Sequence, residues 1–285
     1  MSSPANPRFD PQPLPSDPPP VQTVSAEPFP STVPPPPRSQ ENPVWNGWDV
    51  LQIAALTLFT LFVIQLLVTL GARHFIFRHS TWLDVAQMPT LALLSELLTY
   101  VAVALYMILL VEGKYHARFG QAIRWNWPGK AAVSFLGVGV LMLTLDFLSR
   151  FLPMPKTTPF DQFFARPADA YLTAIFAVSF GPLMEELFFR GFLYPVLARR
   201  IGIFWAILFT ALPFGLIHAV QYGYAWGAVL VIFLVGVVLT TVRAFTKSVA
   251  ASFLAHAGYN GALMILSAIA TDGFRHMDKG GLFLF

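Results

Sequence analysis

AYLTAIFAVSFGPLMEELFFRGFLYPVLA, residues 170–198, is the stretch whose reading decides the fold. It is apolar enough to lie in lipid, where about 20 such residues cover roughly 30 Å of hydrocarbon. Yet Glu185, Glu186 and Arg190 sit in its middle. A charge at the bilayer centre costs about 2.5 kcal/mol or more on insertion scales, so these groups are expected to face protein or a hydrated cavity. At 1.5 Å per residue the stretch reaches about 40 Å and must tilt, protrude or break. Gly181-Pro182 is the expected break, because proline removes a helical donor and clashes with the preceding turn.

Working outward, further apolar stretches lie at 50–71, 91–111, 130–149, 202–221, 225–242 and 248–270. All are read as helices, since an open strand leaves its backbone unsatisfied in hydrocarbon. The fold class is therefore all-α: a polytopic transmembrane helix bundle of about seven to eight spans. Composition agrees, with 55% hydrophobic and only 12% charged residues, against about 25% charged in a typical soluble domain. The net charge of +3 comes from scattered basic residues rather than a run, so membrane lipids are the expected partners and nucleic acid is not. Zero cysteines exclude a disulfide framework, a thiolate nucleophile and a Cys-ligated zinc.

Fifteen of the 24 prolines precede Val44, and residues 1–44 read as a disordered, partly polyproline-II arm, most simply a linker. The arm shows no apolar signal-peptide core, so the first apolar span is the expected insertion signal. The remaining chain divides into N-terminal transmembrane helices at 45–165, a second set at 166–272 and a tail at 273–285. Trp45 and Trp48 are expected in an interfacial aromatic belt, and Arg199 and Arg200 are expected to snorkel to an interface. Lys114, Arg118, Arg124 and Lys130 favour a cytoplasmic second loop. A multi-pass protein of the plasma (inner) membrane is the expected setting.

The polar groups concentrate in the last four spans. Residues four apart on a helix share a face, so Glu186 can pair with Arg190 and His256 with Asn260, while Glu185 points about 100° away from Glu186. His218 ends the run Phe214-Gly-Leu-Ile-His218. Each group has a blander reading: an ion pair can glue helices, and a lone histidine can bond a neighbouring helix. Two glutamates, two histidines, an arginine and an asparagine on three helices point instead to one site. Glu96 and Asp146 are read as packing or rim groups without a motif partner. Gly258 and Gly261 are read as small residues that let helices approach.

At these residues the sequence resembles the CPBP family of CAAX prenyl endopeptidases and bacteriocin-processing proteins. Glu185-Glu186-Leu-Phe-Phe-Arg190, Phe214 to His218 and His256 to Asn260 match its three motifs in order. The resemblance implies an intramembrane endopeptidase acting on a membrane-associated protein or peptide. Glu185 and His218 would activate water, His256 and Asn260 would stabilise the oxyanion, and Glu186 and Arg190 would position the base. The family is often labelled a metalloprotease, and Glu185, His218 and His256 have the donor types of a three-ligand zinc site with an open water position. No His-Glu-x-x-His helix is present, so a metal-free glutamate mechanism is set slightly ahead of zinc. Two other classes are compatible with the sequence: a catalytically inactive immunity or scaffold protein of the same fold, and a proton-coupled transporter.

Overall fold

The computed structural model describes residues 41–153, 155 and 157–277. The Pro-rich arm lies outside the described residues up to position 40, and so does the tail beyond 277. Ten α-helices are present among the described residues. Six helical runs are long and apolar enough to cross a membrane: Gly47–Phe75, Pro89–Lys114, Gly129–Phe151, Pro167–Ile217, Trp226–Thr246 and Val249–Ala270. The fourth of these, with 51 residues, would stretch roughly 76 Å as one rod, more than twice the hydrocarbon thickness. It is instead built from three helices with breaks between them. The chain is accordingly an all-α, multi-pass integral membrane protein.

The helix α1 (Gly47–Phe75) begins with a reciprocal cap, in which Asn46 takes the backbone N–H of Asp49 and Asp49 takes that of Asn46. It turns Leu58, Phe59, Phe62 and Leu67 outward, as a lipid-facing helix should. A short helix, α2 (Trp82–Ala86), leads into α3 (Pro89–Leu109), which packs along α1. Lys114 and Tyr115 close the end of this pair by bonding Asp49 at 2.7 and 2.6 Å. After α4 (Phe119–Ala122), α5 (Ala132–Asp146) crosses back and lies against α10 (Val249–Ala270).

Between them run α6 (Pro167–Val178), α7 (Phe180–Glu186), α8 (Tyr194–Ile217) and α9 (Trp226–Thr246). The break expected at Gly181-Pro182 occurs just earlier, at Ser179 (φ −118°, ψ −78°). Gly181 and Pro182 then lie in the first turn of α7, where a missing proline N–H is tolerated. A second break falls at Gly202 (φ +80°, ψ 166°), inside the bounds of α8. It falls between the stretches expected at 170–198 and 202–221, which lie in one helical run, so six candidate spans stand among the described residues where about seven to eight were expected. Pro213 does not break α8, which continues to Ile217.

Two interface assignments change. Trp48 is 75% exposed, as a belt residue would be, but Trp45 is 1% exposed: its indole donates to Phe192 O and its ring lies 4.5 Å from the Phe192 ring. Arg199 does not reach outward. It bonds the carbonyls of Pro43 and Trp45 at 2.9 and 3.3 Å. The last residues assigned to the arm are therefore docked: Glu41 is buried and paired with Arg124 at 2.8 Å and Arg243 at 2.9 Å.

Candidate active site

Between α7 and α8 the chain takes a π-helical turn, Leu187–Leu193. Such a turn accommodates an extra residue and is common where a helix must re-aim side chains. Glu186 ends α7 and Arg190 lies in the turn, and both are fully buried. Arg190 is held on three sides, donating to Glu186 Oε1 at 2.7 Å, Thr240 Oγ1 at 3.2 Å and Gly236 O at 3.0 Å. Its guanidinium also lies 4.4 Å from the centre of the Phe214 ring. This satisfaction is what allows the charge to remain inside an apolar bundle.

Glu186 has a second partner. Its Oε1 lies 3.0 Å from His256 Nδ1 on α10, and a carboxylate acceptor there places the proton on Nδ1. The other ring nitrogen, Nε2, then points at Glu185 Oε2, 3.7 Å away. From the opposite side, His218 at the end of α8 places its Nδ1 2.8 Å from Phe214 O, so that nitrogen is the donor. Its Nε2 faces Glu185 Oε1 at 3.8 Å. Both imidazole–carboxylate separations exceed hydrogen-bond length, so neither pair is directly bonded.

Asn260 lies one turn beyond His256. One N–H of its amide goes to Ala177 O at 2.7 Å, where α6 nears its end. Glu185, His218, His256 and Asn260 all line one cavity of about 520 Å³, within the size range of small-molecule sites. Glu186 and Arg190 stand behind it. The six residues singled out in the sequence are thus brought together, four on the wall and two as support.

Sequence reasoning missed several neighbours. Glu96 and Tyr100 on α3 also line the cavity, and the Tyr100 hydroxyl donates to Glu96 Oε1 at 2.6 Å. Asp146, read as a packing or rim group, accepts a 2.7 Å bond from Tyr259, another cavity residue, and does not itself line the cavity. A four-residue spacing could have flagged Glu96 with Tyr100. No spacing signal links Asp146 to Tyr259. Over the cavity, the turn Pro159–Phe164 is fastened by Phe160 N–H to Gln221 O at 3.1 Å, with Phe160 packed on Tyr222. Burial pushes the Tyr222 phenol well above its ordinary range, so it stays protonated.

Glu185, His218 and His256 supply donor types that zinc accepts. Among the described residues, however, no group of three or more His, Cys, Asp or Glu side chains is placed to hold a metal ion.

Residues 167–262 match the family model for Rce1-like type II CAAX prenyl endopeptidases. Neither a curated protein nor a solved structure matches the chain. All six polar groups of the site fall inside the matched segment. The resemblance to the CPBP family of intramembrane proteases is thus carried by residues 167–262.

Proposed function

We propose that the protein is an intramembrane endopeptidase that hydrolyses a peptide bond in a membrane-associated protein or peptide, in the plasma (inner) membrane. The observation that carries this reading is the position of Glu185, whose two carboxylate oxygens face the free Nε2 atoms of His218 and His256 at 3.8 and 3.7 Å. A water between Glu185 and His218 has two acceptors, the carboxylate and an imidazole whose proton is committed to Phe214 O. Glu185 takes one proton from that water as its oxygen bonds the peptide carbon. The C–N bond then breaks with its electron pair on nitrogen, and Glu185 returns the proton there. The second water proton leaves the new carboxylic acid for the amine, giving carboxylate and ammonium products.

Negative charge builds on the former carbonyl oxygen in the tetrahedral intermediate, which the remaining N–H of Asn260 and the imidazole of His256 would stabilise. Glu186 orients that imidazole by accepting the bond from His256 Nδ1. Arg190 in turn holds Glu186 in place. In a water-poor cavity such oriented donors need no reorganisation during reaction and act with little dielectric screening.

The test is cleavage of a membrane-peptide library by purified protein in vesicles. Glu185→Gln and His218→Ala are each expected to abolish turnover while the protein stays folded. Wild-type rates in either variant would end this reading. Activity lost on chelation and restored only by zinc would replace the metal-free mechanism.

A further inference from the structure

We propose that Glu96, held by Tyr100, forms the subsite that receives the primary ammonium group of the released peptide product. This rests on the hydrolase reading above, since only hydrolysis creates that group. Glu96 lies on α3, outside the family-matched segment, yet shares the cavity wall with Glu185.

Only one oxygen of Glu96 is committed. Oε1 accepts the 2.6 Å bond from the Tyr100 hydroxyl, and the Tyr100 ring is itself stacked on Phe176, 5.6 Å away. This braces the carboxylate on the helix face it shares with Tyr100 and leaves Oε2 for a donor from the cavity. Among the described residues lining the cavity there is no lysine or arginine. A half-buried carboxylate facing a cavity gains from a donor or a cation, and among the described residues its one side-chain donor is the Tyr100 phenol.

The reaction supplies one. Peptide hydrolysis leaves an amine that is an ammonium at neutral pH, released in this same cavity. Glu185 cannot hold it through the next cycle, because it must be free to accept a proton from the next water. A second carboxylate on the opposite helix can draw the ammonium away from the reacting centre. Asp146, a half-buried acid on α5, is bonded to Tyr259 and does not line the cavity.

The experiment measures binding of a short apolar peptide, Leu-Leu-Ala, with a free or an acetylated amino end, to purified protein in detergent at neutral pH. The free amine is expected to bind about tenfold tighter to wild type and to Glu185→Gln, and the preference is expected to vanish in Glu96→Gln. Unchanged affinity of Glu96→Gln for the acetylated peptide shows that the cavity is intact. Equal binding of the two peptides to wild type, no binding of either, or a preference that survives Glu96→Gln would overturn the subsite. Cleavage of the library by wild type separates the two failures: turnover without amine preference removes only the subsite, while absence of turnover removes the hydrolase reading.

Discussion

Gly139 on α5 and Gly258 on α10 mark a place where two helix backbones touch. A Cβ added to Gly139 would lie 2.2 Å from Ala255 O, and one added to Gly258 would lie 2.5 Å from Leu136 O. In lipid, where helices gain nothing from hydrophobic exclusion, such close backbone contact is a main source of association. The contact sits beside His256 and above Asn260, so it also sets how far α10 projects toward the cavity.

Gly139→Ala and Gly258→Ala are therefore each expected to lower stability by about 1–3 kcal/mol, read as earlier thermal unfolding in detergent. Cleavage should fall with them, because any relief moves α10 and the imidazole it carries. Gly261→Ala is the control: its Cβ would meet only Val178 Cγ1 at 3.6 Å, an ordinary contact. Near-wild-type stability in Gly258→Ala would show that the helices part without cost.

Arg190 differs from a typical membrane charge in having every direction filled. Arg190→Ala leaves Glu186 buried without its guanidinium, and the expected loss is about 3–5 kcal/mol. Arg190→Lys keeps the charge but cannot reproduce the fork to Glu186, Thr240 and Gly236, so it should rescue little stability and little activity. Full rescue by lysine, measured in unfolding and cleavage together, would mean that charge alone matters here.

The site was legible in the sequence because its parts are short-range. Glu186 with Arg190 and His256 with Asn260 each fall at a helical spacing, and an apolar setting makes any polar residue conspicuous. The crossings were legible for the same reason. What failed were contacts between residues distant in the chain. Trp45 looks like an interfacial anchor until Phe192, 147 positions later, is found to accept its N–H. Glu41 looks like part of a solvated arm until Arg243, 202 positions away, is found to pair with it. Asp146 lacked a partner on paper because Tyr259 lies 113 positions away and only packing brings the two together. The break at Ser179 instead of Gly181-Pro182 has a local cause: proline fits the first turn of a new helix better than the last turn of an old one.

Glu41 and Trp45 dock the start of the described chain against the second half of the bundle, and Phe192 belongs to the π-helical turn that carries Arg190. Glu41→Ala would leave Arg243, which is 1% exposed, without its carboxylate. A cost of about 3 kcal/mol is expected. Trp45→Phe should cost about 1 kcal/mol for the lost bond to Phe192 O, whereas Trp45→Ala removes the ring as well and should cost about 3–5 kcal/mol. If the turn depends on this packing, Trp45→Ala will also reduce cleavage at temperatures where the protein remains folded. Activity equal to wild type under those conditions would confine Trp45 to a structural role.

The Tyr259–Asp146 bond joins α10 to the end of α5, and its two sides are not equivalent. Asp146 Oδ1 takes the phenol at 2.7 Å, while the buried Oδ2 has no hydrogen-bond partner among the described residues. Tyr259→Phe thus removes the carboxyl's one side-chain donor and leaves both oxygens unsatisfied, for an expected loss of about 1–3 kcal/mol. Asp146→Asn retains an oxygen acceptor in the same place and offers an N–H where Oδ2 stood, so its cost should stay below about 1 kcal/mol. The order of the two unfolding temperatures is the check. If Asp146→Asn proves the more damaging, the charge on Asp146 is serving another group, and Tyr222, which faces the same cavity, is where double-variant cycles should look first.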